Sequence, residues 1–216
     1  MTPFRIGFLL YPHMTQLDVT GPAQFLANMS GAELYFVWKS FEPVPTDASF
    51  SIVPTATFDD CPQMDMICTP GGGGQTAVMQ DPGVIDWLKR QGSMAKYVTS
   101  VCSGSLILGA AGLIVGYRAG AHWAYREHLS KFGATPVAQR VVKDRNRITG
   151  GGVTAGIDFA LAVIEEVRGA EEAKAIQLML EYDPAPPYDC GTPERAKPDT
   201  IAAAKALLAN LAVRAA

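Results

Sequence analysis

The chain has 216 residues, 48% of them hydrophobic and 18% charged, which suits one globular domain with a sizeable core. Its net charge of −3 and the lack of a Lys/Arg stripe argue against nucleic-acid binding; the densest basic stretch, Arg140 to Arg147, is broken by Val141, Val142, Asp144 and Asn146. No run approaches the roughly eighteen apolar residues of a membrane span, and the N-terminal residues lack a signal-peptide pattern, so a cytoplasmic protein is expected.

Phe4–Leu10 reads as a first strand. Thr20 or Gly21 is expected to cap a helix that carries Pro22 in its first turn and runs through about Met29. Leu34–Trp38 is a second strand, and Ser51–Val53 with the Pro-bounded residues after it forms a short hairpin. Met64–Thr69 and Tyr97–Val101 are near-continuous apolar strands of the kind buried on both faces of a parallel sheet. Asp81-Pro82 opens a helix to about Met94, Ser103–Ala111 forms another stopped by Gly112, and Trp123–Phe132 a third ending at Gly133. Val141–Lys143 and Arg147–Thr149 read as a hairpin. Helices follow over Val153–Arg168, Glu171–Tyr182 and Ile201–Ala215, the last preceded by a proline-rich extended arm, Asp183–Asp199. Strands alternating with helices predict an α/β sandwich with a mostly parallel sheet. A single domain is expected over residues 1–216, with an arm and terminal helix from about 183.

In such a sheet, chemistry gathers beyond the carboxyl ends of the strands. Val101-Cys102-Ser103-Gly104-Ser105 passes straight from β-branched residues to a helical pattern, so Cys102 sits on an elbow that displays it in the crevice. The helix start favours the thiolate, and such positions depress a cysteine pKa by about one to several units. Ser103, Gly104 and Ser105 keep the surroundings small and able to donate hydrogen bonds. The other cysteines form no C-x-x-C pair: Cys68 reads as a buried structural thiol, Cys61 and Cys190 as loop thiols. The glycine run Gly71–Gly74 also ends a strand; taken alone it reads as a flexible turn, but Gly71 and Gly72 can aim N–H groups at a developing charge. With Thr20 and Gly21 better placed as caps, Asp18 is free to face the crevice.

His122 is either a base beside Cys102 or a packed, hydrogen-bonded histidine, and His13 a loop residue. His122 and His128 face different sides of a helix, so no metal site is expected. The glycine run lacks the partners of a phosphate loop.

The segments IGFLLYPHMTQLDVTGP, CTPGGGG, VTSVCSGSLILGAAGL, AHWAYREHL, ITGGGVTAGIDFAL and LEYDPAPPYDCGTP, in this order and over nearly the whole chain, resemble the DJ-1/PfpI superfamily. The pairing of QLDVTGP with EYDPAPPYDCGTP is most similar to its isocyanide hydratase family. The resemblance implies a flavodoxin-like three-layer sandwich, a homodimer, no cofactor, and an isocyanide and water as partners. It puts Asp18 where DJ-1-type members carry a glutamate, beside a reactive Cys102, and Ser103 where hydratases commonly have threonine. It implies that Thr149–Gly156, with Gly151, Gly152 and Val153, begins a helix near the site that shifts when the cysteine is modified. His122 aligns with a histidine that is not a clear triad base in hydratases.

The activity implied is hydration of an isocyanide to an N-substituted formamide. Cys102 forms a thioimidate, Asp18 acts as acid and then base with a pKa raised by like-charge repulsion, and the backbone near Gly72 and Ser103 steadies the intermediate. Val153, Phe25 and Tyr188 are candidate pocket residues. Two other readings accompany it. One is a glyoxalase- or deglycase-like activity on α-oxoaldehydes, whose members generally carry Glu at the position of Asp18. The other is not catalytic: a ligand-sensing domain like those of AraC-type regulators, which continue into a helix-turn-helix domain, or a redox-sensing or chaperone role for an oxidisable thiol.

Overall fold

The computed structural model describes residues 2–214; Ala215, the expected end of the last helix, lies outside them. In chain order the elements are β1 (Phe4–Leu9), α1 (Gln16–Leu26), β2 (Ala32–Trp38), β3 (Val44–Pro45), β4 (Ser51–Ile52), β5 (Ala56–Thr57), β6 (Met66–Thr69), α2 (Gln75–Met79), α3 (Pro82–Met94), β7 (Tyr97–Ser100), α4 (Gly104–Ala110) and β8 (Arg118–Ala119). A 3-10 helix (Arg126–Phe132), β9 (Thr135–Pro136), β10 (Val141–Asp144), β11 (Arg147–Gly150), α5 (Ala155–Arg168), α6 (Ala170–Met179) and α7 (Pro198–Arg214) complete it.

Seven strands form one sheet in the order β10-β11-β7-β6-β1-β2-β5, in which only the β10–β11 hairpin is antiparallel. Helices α1, α5 and α6 pack together on one face, and α2, α3 and α4 on the other. This is the flavodoxin-like three-layer sandwich with a mostly parallel sheet that the sequence leads one to expect. Both faces are covered, so β6 is buried along its whole length and β1 at every position but Arg5, which is why these strands read as apolar runs instead of alternating. Phe8, Ile67, Trp87 and Phe159 are fully buried in the core. From β1 the chain first adds β2 on one side and later β6 and β7 on the other. Their reversal opens a crevice beyond the strand ends, where an open α/β sheet holds its ligands.

Three expectations need correction. Helix α1 begins at Gln16 with Thr15 as its N-cap, and Pro22 lies inside it instead of in its first turn. Proline withholds the N–H that would bond the Asp18 carbonyl, but α1 packs on α5, where Gly156 leaves room for the ring: a Cβ there would meet Pro22 Cδ at 3.2 Å. Tertiary packing overrides local preference. Second, Ser51–Ile52 pairs backward with Val44–Pro45, whereas Ala56–Thr57 joins the edge of the main sheet beside β2. Third, the helix expected over Trp123–Phe132 is a 3-10 helix that starts only at Arg126, although Gly133 ends it in the left-handed conformation (φ 73°).

Candidate active site

The elbow after β7 is held from several sides. Cys102 has φ 60°, a left-handed conformation that costs a non-glycine residue about 1–3 kcal/mol and persists only where neighbours enforce it. Its N–H donates to the Gly150 carbonyl at 3.2 Å, and its carbonyl accepts from the His122 N–H at 3.3 Å. The buried Ser105 hydroxyl donates to the Gly120 carbonyl at 2.6 Å and accepts from Ser100 Oγ at 2.7 Å, so Ser105 ties β7 to α4 and does not serve the thiol. Gly104 abuts the end of β6 so closely that a Cβ would lie 2.0 Å from the Thr69 carbonyl.

The loop after β6 presses on the same elbow. A Cβ on Gly71 would lie 2.5 Å from Ser103 Oγ and 3.0 Å from Cys102 Cβ. The glycine run is therefore a close-packing device and not a flexible turn. Its N–H groups are also engaged: Gly71 donates to Asp18 Oδ2 at 2.8 Å and Gly72 to Ser103 Oγ at 3.2 Å. The expectation that both N–H groups face a developing charge directly is thus corrected. Gly72 reaches the sulfur through Ser103, whose N–H and hydroxyl both favour its thiolate.

Asp18 comes from the first turn of α1 and is fully buried. Its Oδ1 has no hydrogen-bond partner within the protein, and the Cys102 thiol is its neighbour. Burial pushes the Asp18 pKa up to about 8, with Asp47 adding to the rise and the Gly71 N–H and the Cys102 thiol opposing it. Desolvation, and not repulsion from a thiolate, is thus the leading cause. Burial also raises the Cys102 pKa well above the ordinary thiol value, the Asp18 carboxylate adds to the rise, and Ser103 opposes it. The expected depression of that pKa is not found, because Cys102 is only 6% exposed and desolvation exceeds what the donors supply. The bare site at pH 7 holds a thiol and a carboxylic acid that together release a first proton near the Asp18 value.

His122 is half-buried, and its Nδ1 accepts from the Ala124 N–H at 3.3 Å. Burial lowers its pKa, so it is a neutral ring packed 3.2 Å from where a Gly152 Cβ would stand. Gly151 donates to the Arg140 carbonyl at 2.8 Å, and Val153 is half-buried just before α5. Phe25 is buried edge-on against Tyr182, and Tyr188 is 77% exposed on the arm; neither has the setting expected of a pocket residue. Cys68 is inert, its pKa pushed up to about 12 by burial. Cys61 accepts from Trp87 Nε1 at 3.2 Å. Among the described residues, no three His, Cys, Asp or Glu side chains cluster as metal ligands. Two neighbours of the site were not singled out from the sequence. Tyr11 feels the charges of Asp18 and Cys102, and Tyr125 that of Cys102; no local pattern marks either.

The DJ-1/PfpI family profile matches residues 4–166. The isonitrile hydratase of Pseudomonas putida is 51% identical over 192 residues, spanning 89% of this chain and 84% of that protein. The HTH-type transcriptional regulator GbdR of Pseudomonas aeruginosa is 31% identical over 191 residues, spanning 84% of this chain and 51% of the regulator. A crystal structure of a THiJ/PfpI family protein from Pseudomonas syringae is similar with a TM-score of 0.94 at 46% identity, over 100% of this chain and 90% of that one.

Proposed function

This chain belongs to the DJ-1/PfpI family, and from that premise we propose that it is a hydro-lyase that hydrates isocyanides, R–N≡C, to N-substituted formamides. Identity of 51% to an isonitrile hydratase over 89% of the chain supports the reaction class. The observation that carries the mechanism is the pairing of a buried, proton-retaining Asp18 with an elbow thiol at Cys102.

The reactive state is the pair with one proton in its minority arrangement, thiolate and carboxylic acid, in equilibrium with the majority thiol and carboxylate. Cys102 Sγ bonds to the terminal carbon of the isocyanide. That carbon takes the Asp18 proton, giving the thioimidate R–N=CH–S. Asp18, now a carboxylate, removes a proton from water as the oxygen adds to the same carbon, and passes that proton to nitrogen. Collapse of R–NH–CH(OH)–S breaks the C–S bond, and the hydroxyl proton returns to Asp18. Formamide leaves, and thiolate and acid are restored. The Ser103 hydroxyl, itself held by the Gly72 N–H, steadies the sulfur as it leaves. His122, neutral and engaged by Ala124, has no proton to move in this scheme.

The test is formamide production from a simple aryl isocyanide by the wild type, Cys102→Ala and Asp18→Asn. Turnover confined to the wild type supports the assignment. An inactive wild type with a reduced thiol, or a fully active variant, overturns it.

We also read the protein as a cytoplasmic homodimer that needs no cofactor and engages neither nucleic acid nor membrane. Among the described residues no helix is long and apolar enough to cross a membrane. Leu178, Tyr188 and Leu207 are exposed in and around the C-terminal arm, apolar surface suited to a second copy. A monomer mass in light scattering at micromolar concentration refutes the dimer.

A further inference from the structure

The donor that holds Asp18 is itself held. The Pro70 carbonyl and the Gly71 N–H belong to one peptide unit. On one side of it Gly71 donates to Asp18 Oδ2 at 2.8 Å; on the other the Tyr11 hydroxyl donates to the Pro70 carbonyl at 3.0 Å. Tyr11 stands two residues beyond β1, with its side chain fully buried. We propose that Tyr11 is a positioning residue for the Asp18 carboxyl group, acting through the Pro70–Gly71 peptide.

A hydrogen bond at the carbonyl draws electron density from the amide nitrogen and makes its N–H a stronger donor. It also fixes the rotation of the peptide plane and so keeps the N–H aimed at Oδ2. Both effects favour the ionised carboxylate over the acid. Burial, with the charges of Asp18, Cys102 and Asp47 behind it, keeps the phenol protonated, so it stays a donor throughout the working pH range. The titratable groups facing Asp18 are the Cys102 thiol from the elbow, Asp47 from the β3–β4 loop, and Tyr11. Asp47 is anchored separately by the Gln16 N–H at 2.9 Å, so removing the Tyr11 hydroxyl leaves it in place.

Tyr11→Phe keeps the ring and removes one donor. The pH midpoint of Cys102 alkylation by iodoacetamide, which needs no isocyanide, is expected to move upward by about half a pH unit, an increment set by the cooperative share of a charge-assisted bond together with lost alignment. Because only the thiolate–acid form of the pair is alkylated, the rate below the midpoint stays as in the wild type and the plateau above it rises about threefold. Site-specific 3-fluorotyrosine at position 11 keeps the shape and strengthens the donor, and is expected to move the midpoint down. A purely structural tyrosine gives no such opposed pair of shifts. A Tyr11→Phe midpoint that moves up by less than about 0.2 unit, or a fluorotyrosine midpoint that fails to move down, overturns the proposal. The same upward shift in the midpoint of the turnover profile rests on the hydratase reading. The opposed shifts in a protein without isocyanide turnover refute that reading and leave the role of Tyr11 standing; turnover without the shifts does the reverse.

Discussion

Asp18→Asn is expected to stabilise the protein at neutral pH while ending its turnover. The folded chain holds the Asp18 pKa at about 8, against 3.8 for a free aspartate, chiefly by burial. A carboxyl group whose folded pKa lies above its unfolded one binds more protons in the folded state between the two values. Stability therefore falls as pH rises through that window, from about 4 to about 8. At pH 7 about three pH units have been crossed, at about 1.4 kcal/mol each, so retaining this group costs up to about 4 kcal/mol. Asparagine has the same shape, can accept the Gly71 N–H through its carbonyl, and does not titrate. Its amide nitrogen takes the unpartnered Oδ1 position at a pH-independent penalty of about 1–3 kcal/mol. The variant should thus equal or trail the wild type at pH 4, lead it by about 1–3 kcal/mol at pH 7, and gain about 1 kcal/mol more by pH 8. Urea unfolding of both proteins at half-unit intervals from pH 4 to 8 measures the difference, whose slope with pH is independent of the constant amide penalty. A difference that stays flat across this range would show that Asp18 ionises normally in the folded protein, and the proton-retaining acid would be lost from the mechanism.

Turnover itself should rise with pH through a midpoint near 8 as the Asp18–Cys102 pair loses its first proton; a rate already level from pH 5 contradicts the one-proton reactive state. Ser103→Ala removes the hydroxyl at the sulfur and strands the Gly72 N–H, now 3.2 Å from its acceptor. About 10- to 100-fold should be lost from kcat on the scale of one unsatisfied buried donor, with Ser103→Thr retaining most activity; equal rates for wild type and Ser103→Ala would remove the relay. Gly104→Ala forces a Cβ to within 2.0 Å of the Thr69 carbonyl, backbone that cannot yield without parting β6 from α4. A loss of about 3 kcal/mol or more is expected, and a denaturation midpoint within error of the wild type would show that the elbow is looser than described.

Local signals were sufficient for much of the scaffold. Asp81 caps α3 as its place before Pro82 suggests, its Oδ1 accepting from the N–H groups of Gly83 and Val84. The β10–β11 hairpin lies where its turn residues put it. Cys102 stands on a strand-to-helix elbow because an apolar run gives way there to Ser-Gly-Ser. Such features depend on residues a few positions apart, so hydrophobic period and capping chemistry reveal them. The start of α1 is not legible locally, because the cost of an internal Pro22 is local, whereas the contact with Gly156 that offsets it comes from 134 positions further along the chain. The electrostatics of the site lie wholly in the tertiary structure. Residue types alone suggest an activated thiolate at a helix start; burial of Cys102 and Asp18 together reverses that expectation. The bond from Gly71 to Asp18 joins residues 53 positions apart, and that from Tyr11 to Pro70 joins residues 59 apart. Which N–H meets which oxygen is decided only when β1, β6 and β7 lie side by side, and desolvation is a property of everything that surrounds a group, not of its neighbours in sequence.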